Sequence, residues 1–282
     1  MQLDAAVKDL KKGKSPGPDG LSSEFYKEFF PQIKKTLLDA LNYVYCNNAV
    51  NEKFVEGVIT LIHKKDEMEK IENYRPITLL NIDYKILNKI LNNRIKPYLR
   101  NIIYDHQHAQ PGLSTHSATI SIRDIFYEAQ RTNVETFLIT IDFKKAFDSI
   151  DHGWLQNVLR QKGFPVTFIN YIDSIQRNGF SFIKTNHGLT TKFPIQKGVR
   201  QGDPLSLTLF TIALNPLINT IQKNSNIFVS PNPTKNAPKV IAYADDLTLT
   251  ISKRISIQYV KEILNKYHKA SGLQVNEKKQ LG

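Results

Sequence analysis

The stretch VIAYADDLTLTI, residues 240–251, sets two carboxylates, Asp245 and Asp246, side by side between residues that favour extended backbone. Val, Ile, Tyr, Thr and Leu on either side predict two short strands folded about the aspartates. An ordinary hairpin tip is one account of the pair, since Asp is a common turn residue. It is incomplete, because tight hairpin turns favour Asn-Gly or Asp-Gly and no glycine stands here to take the positive backbone angle. Adjacent carboxylates also repel, which calls for a cation, either a basic side chain or a divalent metal. The stretch alone leaves both open.

Composition narrows the choice. With 282 residues, 41% of them hydrophobic, the chain can bury a sizeable core, divisible into two lobes. Lys and Arg number 38 against 26 Asp and Glu, a net charge of +12 that is spread along the chain rather than gathered in a tail. That pattern points to a polyanionic partner, nucleic acid first. Cys46 is the only cysteine, which excludes an intrachain disulfide and a thiolate zinc site. The expectation is a reducing, intracellular compartment, nucleus or cytoplasm, rather than secretion. The opening MQLDAAVKDLKKGKSPGPDG turns polar before any signal-peptide core could form. The most apolar run, PLSLTLFTIAL, falls short of the ~20 residues that span a bilayer, so no membrane partner is expected and the run reads as a buried helix.

The remaining elements follow from periodicity. A short helix over residues 3–12 precedes the loop GKSPGPDG, made basic by Lys11, Lys12 and Lys14, whose plain reading is a linker. Apolar residues at three- or four-residue intervals predict a helix over 22–46, broken near Pro31. VEGVITLIHKKD reads as a strand ending in a basic turn. NIDYKILNKILNNRIKPYL reads as a helix with Ile86, Leu87, Ile90, Leu91 and Ile95 on one side and a solvated Lys85, Lys89 and Lys96 on the other. Further on come a strand in ETFLITIDF, a helix in HGWLQNVLRQKG, and a hairpin turning at Asn186 to Gly188. Asp203 and Pro204 fit the N-cap and first position of a long helix disturbed at Pro216. A helix over 257–270 and a last strand, LQVN, complete the order. The fold class expected is α+β, with helices packed behind a small antiparallel sheet.

Asp142 stands at the end of a predicted strand, as the Asp245–Asp246 pair does. If the two segments are sheet neighbours, three hard oxygen donors converge, a set that suits Mg²⁺. A pair of such ions can align an attacking hydroxyl and a leaving pyrophosphate for in-line displacement.

At this point the residues resemble those of the reverse transcriptases, most closely of LINE-type non-LTR retrotransposons. YADD is similar to their Y-x-D-D tetrapeptide and TIDFKKAFDSIDH to their first catalytic block. GVRQGDPLS resembles the block opening their template-contacting helix; NYRPITLLNIDYKILNKIL and KSPGPDGLSSEFYK resemble their fingers blocks. Five blocks in the family's order carry far more weight than a tetrapeptide.

The resemblance implies a right-hand polymerase core. Fingers with an N-terminal extension occupy 1–105, and a palm, with a segment returning to the fingers, occupies 106–282. Asp142, Asp245 and Asp246 would be catalytic, holding two Mg²⁺, with Mn²⁺ as a substitute, helped by the backbone carbonyl of Phe143. Phe147 falls where the family places an aromatic gate beneath the sugar, although a core aromatic at a strand-to-helix turn fits the same position. Lys64 and Arg75 match triphosphate-binding residues of the fingers. Gln201 and Gly202 match the block packing on the nascent base pair, and Lys279 matches a lysine near the leaving pyrophosphate, with Lys278 next door. Asp148 and Asp151 read as helix caps.

The sequence also departs from the family. DHQHAQPGLSTHS is one residue longer than its counterpart and lacks the usual Arg near Leu113; His106, His108 and His116 within it read as surface histidines. The chain ends at Gly282, so the primer-grip hairpin and helical thumb are expected to be absent, as are endonuclease and cysteine-rich regions. Two functions follow. One is an RNA-directed DNA polymerase using an RNA template, a DNA primer and dNTPs; the other is a retroelement remnant that keeps the fold and binds RNA without activity. A metal-dependent phosphatase or nuclease shares the acidic site but gives no reason for the Gln-Gly block or the gate aromatic.

Overall fold

The computed structural model describes residues 2–64, 66–110, 112–229 and 238–276. Among them the strands are β1 (Gly57–His63), β2 (Tyr74–Leu80), β3 (Phe137–Ile141), β4 (Phe180–Thr185), β5 (Gly188–Leu189), β6 (Phe193–Pro194), β7 (Val240–Tyr243) and β8 (Asp246–Ile251). They belong to two units, residues 1–94 with 163–206 and residues 95–162 with 207–282. The segment 163–206 returns to the first unit after the chain has entered the second. It returns because β4 pairs in parallel with β1, Gly57 opposite Ser181.

In the first unit the sheet order is β2-β1-β4-β5, with β6 also on β4. β1 and β2 are antiparallel over seven rungs, from Gly57 opposite Leu80 to His63 opposite Tyr74. The predicted hairpin is present, Thr185 pairing with Gly188. The helix Ser23–Glu28 ends at Phe29, and Phe30–Asn47 restarts with Pro31 in its first turn, where a missing N–H costs nothing.

The helix Ile82–Ile95 corrects the sequence reading. Its predicted basic side is not a solvated face, for Lys85 and Lys89 are half-buried. Burial also pushes the Lys85 ammonium below its ordinary value. The helix is wrapped on nearly all sides because Asn88 and Asn92, which look solvent-facing in sequence, are buried and find distant acceptors. Asn88 Nδ2 donates to Asp203 at 2.8 Å, and Asn92 Nδ2 donates to the Pro204 carbonyl at 2.8 Å.

The second unit holds the antiparallel sheet β3-β8-β7. Its helix Thr115–Thr132 packs Ala118, Ile122 and Ile125 against Ile241 of β7. The long apolar helix starts at Ser206, two residues after Pro204, and Asp203 accepts the Leu205 N–H at 2.9 Å just before it. Within this helix Pro216 has no N–H to give the turn before it. The neighbouring carbonyl of Ala213 accepts two side-chain donors, Trp154 Nε1 at 3.1 Å and the Tyr267 hydroxyl at 2.8 Å. Trp154 and Tyr267 come from the helices His152–Gln161 and Ile255–Ser271. The last predicted strand, LQVN, reduces to one bridge, Val275 to Phe143, because only residues 274–276 run beside 142–144.

Candidate active site

The sequence-predicted site residues fall into a group on each unit. In the second unit, β3 and β8 pair with Ile141 opposite Leu247, so Asp142 comes one residue past that rung, level with Asp246. Asp246 opens β8 opposite Tyr243, leaving Ala244 and Asp245 as a two-residue turn. This is the tight hairpin for which the sequence offers no glycine, and Ala244 takes the left-handed conformation instead, at φ +52°. Such a conformation costs a residue with a Cβ about 1 kcal/mol or more.

After Asp142 the chain leaves β8 and pairs with residues 274–276. The Asn276 N–H donates to the Asp142 carbonyl at 2.8 Å, and the Lys144 N–H donates to the Gln274 carbonyl at 2.8 Å. Asn276 Nδ2 also donates to Asp142 Oδ2 at 2.9 Å. Phe143 lies between these two bonds, on the bridge to Val275. Asp142 and Asp245 are half-buried and Asp246 is exposed. The three form a row of hard oxygen donors at neighbouring strand ends, chemistry that suits a divalent cation such as Mg²⁺. Among the described residues, no three His, Cys, Asp or Glu side chains are gathered closely enough to hold a metal ion.

Phe147 lies in the single-turn helix Ala146–Ser149, half-buried. Its ring stacks on the fully buried Phe210, centroids 4.6 Å apart and planes 21° apart. Asp151 caps His152–Gln161 by accepting the Trp154 N–H at 2.9 Å, whereas Asp148 lies inside its own helical turn rather than at a cap. Of the three histidines only His116 is exposed; His108 is buried and His106 half-buried. The surface reading fails there because residues 106–108 extend the sheet along β7. The His108 N–H donates to the Ala242 carbonyl at 2.6 Å, and the Ala242 N–H donates to the His106 carbonyl at 2.9 Å. Burial pushes both imidazoles below their ordinary value.

In the first unit, Lys64 and Arg75 are exposed at the open end of the β1–β2 ribbon. The Lys64 N–H donates to the Asn73 carbonyl at 2.8 Å, and Arg75 pairs with Ile62. With a side-chain period of two, this register puts both cations on one face. The loop of Gln201 and Gly202 is pinned to β2, since the Gln201 carbonyl accepts the Thr78 N–H at 2.8 Å. Gly202 has φ +121°, and a Cβ there would meet the Thr78 carbonyl oxygen at 2.5 Å. The close approach that demands glycine is therefore the protein's own backbone. Asp203 anchors the loop by accepting the Tyr84 hydroxyl at 2.8 Å and Asn88 Nδ2; the Tyr171 hydroxyl donates to Asn88 Oδ1 at 2.7 Å. Burial pushes the Asp203 carboxyl up, and its hydrogen-bond donors pull it back. Lys278 and Lys279 lie outside the described residues.

Sequence reasoning missed Asn276 and the buried Gln107, which bonds Ala244 in the aspartate turn. Gln107 lies in a loop without periodicity and Asn276 at the end of the predicted strand LQVN, and each acts on a residue more than 130 positions away.

Comparison with known proteins places the chain. The family described as "Reverse transcriptase (RNA-dependent DNA polymerase)" matches residues 62–281. The "Transposon TX1 uncharacterized 149 kDa protein" of Xenopus laevis is 30% identical over 282 residues, covering 100% of this chain and 22% of the relative. The R2 retrotransposable-element Pol polyprotein of Popillia japonica is 27% identical over 286 residues, covering 99% and 38%. The R2DM polyprotein of Drosophila melanogaster is 24% identical over 282 residues, covering 99% and 26%. The chain thus spans well under half the length of these curated relatives. In fold it is similar to telomerase from Candida albicans in complex with a telomeric RNA fragment, with a TM-score of 0.58 at 14% identity over 92% of this chain and 46% of that one. Apo telomerase from Candida tropicalis gives a TM-score of 0.56 at 14% identity over 88% and 48%. Taken with the aspartates at adjoining strand ends, these likenesses identify the chain as a member of the reverse transcriptase family, in the branch of the LINE-type non-LTR retrotransposons.

Proposed function

We propose that this chain is the polymerase domain of an RNA-directed DNA polymerase, which extends a DNA primer on an RNA template. The observation that carries the reading is the register that sets Asp142 level with Asp246, beside the two-residue turn holding Asp245. Reverse transcriptases generally use divalent metal ions. Here Asp142, Asp245 and Asp246, with the Phe143 carbonyl, would hold two Mg²⁺, or Mn²⁺ in their place, whose Lewis acidity favours in-line attack of the primer 3′-hydroxyl on the α-phosphate.

The chain's other residues bind and orient. Lys64 offers a point charge and Arg75 a planar fork to the triphosphate oxygens. Phe147, held from behind by Phe210, limits the space beneath the sugar and so favours deoxynucleotides. Gln201 and Gly202 present a backbone fixed by Thr78 to the nascent base pair, and Lys279 meets the leaving pyrophosphate. The net charge of +12 favours the RNA template and the primer through phosphate contacts, so hybrid affinity should fall steeply between about 50 and 200 mM salt.

Primer extension on an RNA template with dNTPs and Mg²⁺ tests this reading. Template-directed products that disappear in Asp245→Asn are expected. A folded wild-type chain that binds the hybrid yet adds no nucleotide would overturn it.

A further inference from the structure

The aspartate turn rests on a residue to which no role has been given. Ala244 stands at φ +52° with a Cβ, in a turn that glycine would form more easily. Both of its backbone polar groups are taken by one side chain. The Ala244 N–H donates to Gln107 Oε1 at 3.0 Å, and Gln107 Nε2 donates to the Ala244 carbonyl at 3.1 Å. Gln107 is fully buried, and its Oε1 also accepts the Ala109 N–H at 3.2 Å. Its own backbone is fixed beside β7 by the bonds that flank it at His106 and His108.

The two bonds reach the two peptide units on either side of Ala244. One joins Tyr243 to Ala244, and the other joins Ala244 to Asp245. Holding both planes fixes the two backbone dihedrals of Ala244, and the second plane carries the N–H of Asp245. The direction in which Asp245 leaves the turn is thereby set from a segment 137 residues earlier in the chain. A carboxamide suits this task because it presents one donor and one acceptor side by side; a carboxylate lacks the donor, and an apolar side chain lacks both.

We propose that Gln107 is a positioning residue for polymerisation, its carboxamide holding Ala244 in the left-handed conformation and so aiming Asp245. The inference rests on the polymerase reading of the site. It differs from a packing role in what should compensate for its loss. If the clamp acts by stabilising a positive φ, a residue that adopts that φ without strain should stand in for it.

The test compares wild type, Gln107→Met, Ala244→Gly and the double variant in the full chain. The readouts are nucleotide addition at saturating dNTP, KM for dNTP, hybrid affinity and amide hydrogen exchange in metal-free protein. Displacement of a reacting group by about 1 Å costs on the order of a hundredfold in rate. Gln107→Met should therefore lower kcat by about ten- to a hundredfold, leave KM and hybrid affinity within about twofold, and speed exchange at Ala244. Adding Ala244→Gly should recover most of the lost kcat. Should Gln107→Met fail to fold, the double variant carries the test, and near-wild-type addition supports the proposal. Unchanged kcat in folded Gln107→Met overturns it, as does a loss that a folded double variant does not recover. Wild type that extends no primer would instead strike the polymerase reading, while the exchange comparison still tests the clamp.

Discussion

Asn276 holds Asp142 twice, its backbone N–H on the Asp142 carbonyl at 2.8 Å and its side-chain amide on Oδ2 at 2.9 Å. The first bond ties residue 276 to the chain just past β3; the second leaves Oδ2 facing a neutral donor and limits rotation of the carboxylate. Hydrogen bonds to charged groups contribute about 1.5–3 kcal/mol. Asn276→Ala should lower kcat about tenfold. Asn276→Asp should lower it further, by setting one carboxylate against another. Steady-state extension on an RNA template decides this, and an unaltered kcat in folded Asn276→Ala would reduce the contact to chain packing.

Asp245→Asn should abolish nucleotide addition and leave affinity for an RNA–DNA hybrid the same or slightly higher, since it removes a negative charge rather than a phosphate contact. Parallel binding and extension assays separate the two effects. Extension at the wild-type rate would remove Asp245 from the catalytic set.

Phe147→Ala should raise ribonucleotide relative to deoxynucleotide incorporation, read as the ratio of kcat/KM for the two sugars. It also removes the stack on Phe210, so a stability loss of about 2–4 kcal/mol is expected from the deleted ring. A folded variant whose sugar ratio does not move would make Phe147 a core aromatic alone.

Asp83 gives the first unit a pH dependence. Burial first, then the neighbouring Asp19 charge, pushes its carboxyl up from 3.8 to about 6, against the pull of the Tyr84 N–H. A carboxyl whose pKa is higher in the folded state binds its proton more tightly there, so stability is greatest below about 4 and falls as pH rises to about 6. The full effect is about 3 kcal/mol, at roughly 1.4 kcal/mol per pH unit. Denaturant melts across this window should show the decline in wild type and a flatter profile in Asp83→Asn. An identical slope in the two proteins would show that Asp83 does not titrate there.

Much of this site was legible because strand ends announce themselves. Alternation and β-branched runs mark β1, β3, β7 and β8, and carboxylates where such runs stop single out Asp142, Asp245 and Asp246 as candidates. What escaped depends on partners far away in sequence. Asn88 looks like a solvated residue until Asp203, 115 positions later, appears as its acceptor, and with that pair the predicted basic face of its helix is lost. Gln107 sits between two histidines in a loop without period, so the sequence suggests a surface segment; the open edge of β7 draws it into the sheet instead. Gly202 illustrates a third kind of limit. Its resemblance to the block packing on the nascent base pair says nothing of the Thr78 backbone that crowds it.

The shared carbonyl of Ala213 also gives the second unit a built-in optical reporter. Trp154 is the chain's only tryptophan, and its indole N–H is bonded at the point where three helices meet, edge-on to Tyr267 at 5.4 Å. Intrinsic fluorescence excited at the indole band therefore arises from this junction, with no contribution from residues 1–94 or 163–206. Separation of the helices hydrates the indole and shifts its emission to the red. Opening of the unit that carries the aspartates can thus be followed without a label, while the other unit stays spectroscopically silent.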